Sequence, residues 1–522
     1  MADSATEELS SEDVQGRAQE AFSEGLRMLE VEHPAEAVTA FTRALEAYRT
    51  LPEAQRDQAS CLNGIGNAQR TAGHYEEALD AYRQALEIYR ALPEARRGQA
   101  SCLYNIGFTL GQTGCYEEAL DAYRQATDLY TQVTGTWQNQ VDCLYCTGII
   151  LNELERYEEA LTTFQQILDL YTQVTGTGHQ QADCLYCTAF ILRTLGRYPE
   201  ALDAYQRAMD LYTQVAGTSH QQADCLHNTG NVLRRQGRDE EALEAYQRAM
   251  DLYTQVAGTE QDQADCLLST GGTLRTTGRH EEALTAYRQA LDLYTQVAGT
   301  GHQQAICLYN IGNTLDDTGM SKEALDAYQR AMDIYRTLPD TQQDQANCLH
   351  NTASTLREAT DRHEEALDTY RQALSLYQQV TGTGFQQANC LSNTGRVLDD
   401  IGRYEEALDA YRQALDLYRQ VTGTEQDQAD CLNSMSLTLR KAGRPEEADA
   451  AYQQALDLGL PADPPTEPEE PPEPGASTEL EAPNELTDPG ELEAPGDPGE
   501  LEEPTEPKDP EEFEEPTGPE AP

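Results

Sequence analysis

Lysine and tryptophan are nearly missing from this chain of 522 residues, and positive charge is scarce overall. Lysine occurs only at Lys322, Lys441 and Lys508, and there is one tryptophan. The 36 basic side chains stand against 91 acidic ones, which gives a formal net charge of -55. A chain this acidic repels phosphate backbones, so nucleic acid is not expected as a partner.

Long apolar runs are missing as well. No stretch approaches the roughly 20 apolar residues that a membrane-spanning helix needs. The start, MADSATEELSSEDVQ, has neither the basic segment nor the apolar core of a signal peptide. We therefore expect no membrane partner and a cytoplasmic location, where thiols stay reduced. The 13 cysteines are then predicted to be packing residues or metal ligands, not a disulfide framework.

Ten of the cysteines recur with a fixed period. They are Cys61, Cys102, Cys143, Cys184, Cys225, Cys266, Cys307, Cys348, Cys390 and Cys431. Successive members are 41 residues apart, except for 42 between Cys348 and Cys390. A period of this length indicates stacked structural repeats.

One period, residues 100–140, predicts a helix–turn–helix unit. Ile106 and Leu110 lie four residues apart, the spacing of one helix face. Gly114 is expected to end this helix, as glycine commonly does. A second helix is expected to begin near Tyr116, followed by acidic residues that the helix dipole favours.

Two small residues in this period, Gly107 and Ala119, recur along the chain and allow the helices to cross closely. The resulting pattern, L-x2-I-G-x2-L and then A-x3-Y, resembles the tetratricopeptide repeat (TPR) family, whose pattern is W-x2-L-G-x2-Y and then A-x3-F. Leucine replaces the tryptophan, and the family's later proline is missing. The long period is similar to that of kinesin light chain repeats.

The resemblance implies an all-α fold, a TPR α-solenoid in which helix–turn–helix hairpins form a right-handed superhelix. Eleven tandem units would occupy residues 14–460, after a flexible N-terminus at 1–13. The remaining segment, 461–522, holds 17 of the 23 prolines, 22 acidic residues and one lysine. It cannot bury enough apolar surface to order itself, so we expect a disordered acidic tail. The tail either solubilises the chain or occupies the repeat groove and competes with a partner.

Two C-x-x-C pairs, Cys143/Cys146 and Cys184/Cys187, suggest metal or redox chemistry at first sight. Since Cys143 and Cys184 belong to the periodic set, only Cys146 and Cys187 need a separate explanation: packing, metal binding or reactive thiols. Parallel stacked helices suit a tetrahedral zinc site poorly. We expect no metal and no cofactor. No catalytic motif is present either, since the His-Glu pairs continue as HEEAL and lack the second histidine of H-E-x-x-H. We therefore predict that the chain is not an enzyme.

The resemblance implies that the first helix of each repeat lines a concave groove that binds an extended peptide. Three groups of residues fall at such positions: an apolar stripe, a basic run and a recurring asparagine. They are Tyr104, Phe108, Tyr145, Ile149, Tyr186 and Phe190; Arg193, Arg234, Arg235 and Arg275; and Asn105, Asn228 and Asn310. We expect a protein or peptide partner with apolar and acidic segments. The alternatives are a peptide-responsive signalling regulator, or an inner face that is merely solvated, with its arginines paired to neighbouring acids.

Overall fold

The computed structural model of the protein describes residues 10–358 and 362–459. The tail predicted to be disordered, and most of the N-terminal segment predicted to be flexible, lie outside these residues. All regular structure in the described residues is α-helical, which confirms the predicted fold class. The chain divides into two compact units, Met1–Gln236 (unit 1) and Gly237–Pro522 (unit 2).

The helices of each unit alternate between a first and a second member of a hairpin. In unit 1 they are α1 (Ser11–Glu30), α2 (Pro34–Tyr48), α3 (Gln55–Thr71), α4 (Tyr75–Arg90), α5 (Arg96–Gln112), α6 (Tyr116–Tyr130), α7 (Trp137–Glu153), α8 (Tyr157–Thr172), α9 (Gly178–Thr194), α10 (Tyr198–Tyr212) and α11 (Ser219–Arg235). In unit 2 they are α12 (Asp239–Tyr253), α13 (Glu260–Thr276), α14 (His280–Tyr294), α15 (Gly301–Asp317), α16 (Ser321–Tyr335), α17 (Gln342–Glu358), α18 (His363–Tyr377), α19 (Gly384–Asp400), α20 (Tyr404–Tyr418), α21 (Glu425–Lys441) and α22 (Pro445–Asp457). Odd-numbered helices are called first helices below, and even-numbered ones second helices.

The turns inside the hairpins depend on a left-handed residue wherever the structure describes them. Gly114 follows α5 with φ 77°, a conformation that glycine adopts without a steric penalty. The next amide, of Cys115, donates to the Leu110 carbonyl at 2.9 Å and closes the helix end. Helix α6 then begins at Tyr116, as the sequence predicted. At the equivalent turn after α7, Glu155 takes the glycine's place with φ 56°.

From α7 onward, the connection between hairpins depends on a threonine. The Thr136 hydroxyl donates to the Tyr130 carbonyl at 2.6 Å, and the Gln140 amide donates to the same carbonyl at 3.2 Å. These bonds satisfy a carbonyl that the end of α6 leaves without a helical partner. The arrangement recurs in unit 2, where Thr300 bonds the Tyr294 carbonyl at 2.5 Å.

Several hairpins are held together by a tyrosine of the second helix that packs on a glycine of the first. Tyr82 is fully buried, and a Cβ added to Gly66 would lie only 2.4 Å from its ring. Gly312 and Tyr328 repeat this contact in unit 2, at 2.5 Å. The absence of a side chain therefore sets how closely the two helices approach.

The periodic cysteines lie in the core, each at most 2% exposed. The Cys184 thiol lies 3.1 Å from the Phe164 carbonyl of the preceding second helix, and Cys390 makes the same contact with Tyr370. All 13 cysteines are free thiols. These facts confirm that the periodic cysteines pack as small apolar residues between repeats.

Candidate functional site

The three tyrosines of the apolar stripe connect consecutive first helices of unit 1. Tyr186 accepts a hydrogen bond from the Asn228 amide, 42 residues later, at 2.9 Å. At the same offset the Tyr104 hydroxyl lies 4.0 Å from the Cys146 sulfur, and the Tyr145 hydroxyl lies 3.9 Å from the Cys187 sulfur. Each hydroxyl therefore already has a partner in the next repeat. Cys146 and Cys187 thus lie where other repeats carry an asparagine.

The rings of these tyrosines also pack against the hairpin core. Ring centroids are 5.7 Å apart for Tyr104 and Tyr123, and 5.9 Å for Tyr145 and Phe164. Aromatic contacts of this kind stabilise a core beyond the area that they bury. These tyrosine rings therefore contribute to the hairpin core as well as to the apolar stripe.

The other three members of the stripe lie one turn further along the same helices. Phe108, Ile149 and Phe190 are each partly exposed and stand on α5, α7 and α9. The Phe108 ring lies 4.9 Å from the Arg70 guanidinium carbon, and the Phe190 ring lies 4.7 Å from that of Arg193. These hydrocarbon side chains have no hydrogen bond to keep, so they are the better candidates for apolar anchors.

The asparagine amides are used within the fold. Asn105 donates to the side-chain oxygens of Asn63 at 3.0 Å and of Asn67 at 3.3 Å. Asn310 donates to the Ile306 carbonyl of its own helix at 3.1 Å. A ligand backbone would therefore have to use the remaining lone pairs or replace these bonds.

The basic run in unit 1 is partly buried. Arg193 is only 7% exposed, and Arg234 has a buried Nε atom without a hydrogen-bond partner in the described residues. Arg235, at the end of α11, is exposed. It follows Arg193 by 42 residues, the offset that separates contacting side chains on neighbouring first helices. The same offset therefore relates two basic side chains in unit 1.

In unit 2 the same offset pairs cations with acids. Arg275 donates to Asp317 at 2.9 Å, and both side chains are less than one-fifth exposed. Lys441 lies 2.6 Å from Asp399 in the same way. The predicted site residue Arg275 is thus engaged in an ion pair. This agrees with the alternative in which arginines of the inner face pair with neighbouring acids. It also stands in unit 2, apart from the stripe.

The two additional thiols are protonated and poorly reactive. Burial raises the pKa of Cys146 to about 11, and burial raises the pKa of Cys187 to about 12. Reactive cysteines depend on the thiolate, which such values disfavour at neutral pH. Within residues 10–358 and 362–459, no three side chains of histidine, cysteine, aspartate or glutamate are arranged to share a metal ion.

None of the helices that the structure describes is both long enough and apolar enough to cross a bilayer.

Comparison with known families settles the family of the chain. A tetratricopeptide repeat model matches residues 16–91, 98–173, 180–255, 264–337, 344–420 and 401–459. The chain belongs to the tetratricopeptide repeat family. A second tetratricopeptide repeat model matches residues 63–132 and 227–298, and a third matches 303–375. The repeats and the helical hairpins together define a TPR α-solenoid, a fold that serves as a protein-interaction scaffold.

Solved structures include other proteins similar to this TPR chain. The apo form of RapI has a TM-score of 0.50 at 14% identity, and the match covers 69% of this chain and 97% of RapI. BtubC (BKLC) from P. vanneervenii has a TM-score of 0.37 at 14% identity, covering 48% of this chain and 94% of that one. At these identities the RapI likeness shows the fold alone. No curated protein sequence matches the TPR chain.

Some residues of this TPR surface were missed from sequence. Asn63, Asn67 and Arg70 contact the predicted site residues and lie on the first helix before the stripe. Side chains on neighbouring first helices meet when they are 42 residues apart in sequence, one more than the 41-residue period, or 38 residues apart, one helical turn away. These two sequence separations are the signal that could have found the three residues.

Proposed function

We propose that the first helices α5, α7 and α9 of unit 1 bind an extended peptide segment of a partner protein, and that the chain is a non-enzymatic scaffold. The observation that supports this most is the row formed by Phe108, Ile149 and Phe190. These apolar side chains recur every 41 residues and stay partly exposed. A solenoid stacks its repeats side by side, so equivalent residues form a row along the stack.

The spacing of the row indicates the backbone conformation of the peptide that would fit it. Packed helices lie about 8–10 Å apart. A polyproline II segment returns to the same face every third residue, after about 9 Å. A partner peptide with apolar side chains at every third residue would therefore place one on each of the three anchors.

The basic residues near the end of unit 1 give this ligand a direction. Arg234 and Arg235 close α11, Arg235 is exposed, and the guanidinium group suits a carboxylate. An acidic residue in the partner, beyond its apolar positions, would match this end. Arg275 contributes less, because Asp317 already neutralises it.

The cytoplasm is the compartment that suits these thiols. Every one of the 13 cysteines is free, and burial raises the pKa of the periodic thiols, for example Cys102 to about 12. Free thiols in such number persist in a reducing environment.

The test is partner capture by the full chain and by a triple variant, Phe108→Ala, Ile149→Ala and Phe190→Ala. Removal of three apolar anchors is expected to weaken binding of the captured partner at least about 100-fold. The matched control is Leu26→Ala with Val31→Ala, which removes exposed apolar side chains of unit 1 outside the row. Titration of the purified partner measures the affinities, and circular dichroism checks that both variants stay folded.

Equal partner affinity for the folded triple variant and the wild type would contradict the proposal. Loss of binding in the control as well as in the triple variant would also count against it, because the row would then have no special role.

A further inference from the structure

A group of hydrogen-bond donors without acceptors lies between α17, α18 and α19 of unit 2. Its buried part consists of His350 and Tyr370, whose rings are 5.3 Å apart in an edge-on contact. His350 is 3% exposed, and Tyr370 is fully buried. Neither His350 Nδ1 nor the Tyr370 hydroxyl has a hydrogen-bond partner among the residues that the structure describes.

The protonation of His350 follows from its one polar contact. The Asn393 side-chain nitrogen lies 3.3 Å from His350 Nε2, and with the amide in this orientation it donates, so Nε2 accepts and the proton is on Nδ1. Burial lowers the pKa of His350 to about 4, which keeps the ring neutral. His350 Nδ1 is therefore a buried donor, and a buried donor left without an acceptor costs about 1–3 kcal/mol.

The equivalent tyrosine of the preceding hairpin shows what Tyr370 lacks. Tyr328 donates its hydroxyl proton to Asn313 at 2.8 Å. Ser354 stands in place of Asn313 in the α17–α18 hairpin, and its hydroxyl interacts with that of Tyr370 without reaching hydrogen-bond geometry. The Tyr370 hydroxyl is therefore less well satisfied than the Tyr328 hydroxyl.

Two arginines lie beside these donors. Arg396 makes no hydrogen bond or ion pair within residues 10–358 and 362–459, whereas Arg357 has a long contact of 3.9 Å with Asp400. Burial and then the positive charge of Arg357 lower the pKa of Arg396. Arg357 lies seven residues after His350 on α17, and Arg396 lies three residues after Asn393 on α19, so both arginines share the helix faces that meet at the His350–Asn393 contact. Burial raises the pKa of Tyr370, and the charges of both arginines oppose that rise.

We propose that Arg357 and Arg396, with His350 and Tyr370 behind them, bind a carboxylate of an acidic peptide segment. All four groups donate, and a carboxylate only accepts, with two oxygens that suit the guanidinium fork. Two arginines and Asp400 leave one positive charge at the site. A single carboxylate balances that charge, whereas a dianionic phosphate exceeds it.

The carboxylate has two possible sources, a partner protein or the chain's own segment 461–522 with its 22 acidic residues. Either source supplies the same chemistry. The site lies in unit 2 and does not depend on the apolar row of unit 1, so the triple variant of that row should bind an acidic peptide normally. Failure of one proposal therefore leaves the other standing.

The experiment measures fluorescence anisotropy of a labelled (Glu-Gly)4 peptide on the full chain, with (Gln-Gly)4 as the uncharged probe. The acidic residues of 461–522 are changed to Gln and Asn in one background and kept in the other. In the neutral-tail background, Arg396→Met is expected to weaken binding of the glutamate peptide at least about tenfold, because it removes a charge-assisted bidentate contact with a carboxylate. Arg330→Met, which removes an exposed arginine of α16, should leave the affinity unchanged.

A second readout separates binding from structural support. The Arg396→Met variant should melt at or above the wild-type temperature, because the free protein loses a partly buried positive charge that Arg357 repels. Equal peptide affinity in wild type and Arg396→Met, or loss of folding in Arg396→Met, would overturn the proposal. Tighter peptide binding with the neutral tail would identify the chain's own tail as the competing occupant; equal binding in both backgrounds would identify a partner as the source.

Discussion

Gly66→Leu is expected to destabilise the α3–α4 hairpin by at least about 3 kcal/mol, through overpacking. A Cβ at Gly66 would already lie 2.4 Å from the Tyr82 ring, and Tyr82 is fully buried and cannot move aside. Since each repeat contacts mainly its neighbours, the loss should be local. Hydrogen exchange should accelerate in α3 and α4, as measured by mass spectrometry of the full chain.

The control for this substitution is Gly16→Leu. Gly16 also lies inside a helix of unit 1, but nothing stands within 4 Å of its added Cβ. Leucine favours a helix more than glycine does, by less than about 1 kcal/mol, so this variant should be neutral or slightly stabilising. Slow exchange in α3 and α4 of Gly66→Leu would show that the glycine–tyrosine contact does not set the hairpin's packing.

Asp142→Asn is expected to stabilise unit 1 by up to about 3 kcal/mol at neutral pH, a figure that corresponds to about two pKa units. Burial raises the pKa of Asp142 to about 6, so ionising it opposes folding. Another repeat already has the uncharged residue: Asn347 lies at the equivalent position of α17 and accepts a hydrogen bond from the Tyr377 hydroxyl at 2.7 Å. Trp137, which begins α7, provides a local fluorescence probe of urea unfolding.

The pH dependence of this effect has a definite sign. The folded pKa of Asp142, about 6, lies above its unfolded value of about 4, so the folded state binds more protons between these values. The stability of the wild type should therefore fall as pH rises from 4 to 6, and Asp142→Asn should lack this part of the fall. All other acidic residues are the same in the two chains, so the difference between their pH curves isolates the effect of Asp142 on stability. Parallel pH curves for the two would contradict the assignment.

The helices could be predicted from the sequence because their signals are local. Gly114 and Tyr116 marked the end of one helix and the start of the next, and the structure has both boundaries there. The burial of Cys102 followed from its place in the period, which repeats ten times. Such features depend on residues within one or two turns.

The contacts of the candidate site could not be predicted in the same way, because they join different repeats. Asn228 was expected to face a ligand, but its amide bonds Tyr186 of the preceding repeat. Arg275 was expected in a basic run, but it pairs with Asp317. A repeat period shows which residues are equivalent, whereas the stagger of one helix against the next decides which residues meet. His350 could be placed on a helix face but not recognised as a buried donor.

The most direct measurement is hydrogen exchange of the full chain with and without the captured partner segment. If the row on unit 1 is the binding surface, partner binding should slow exchange in the first helices α5, α7 and α9. The second helices α6, α8 and α10 should change little, because they do not carry the row. Protection confined to those second helices, or to the turns between hairpins, would contradict the assignment of the first-helix face as the working surface of this protein.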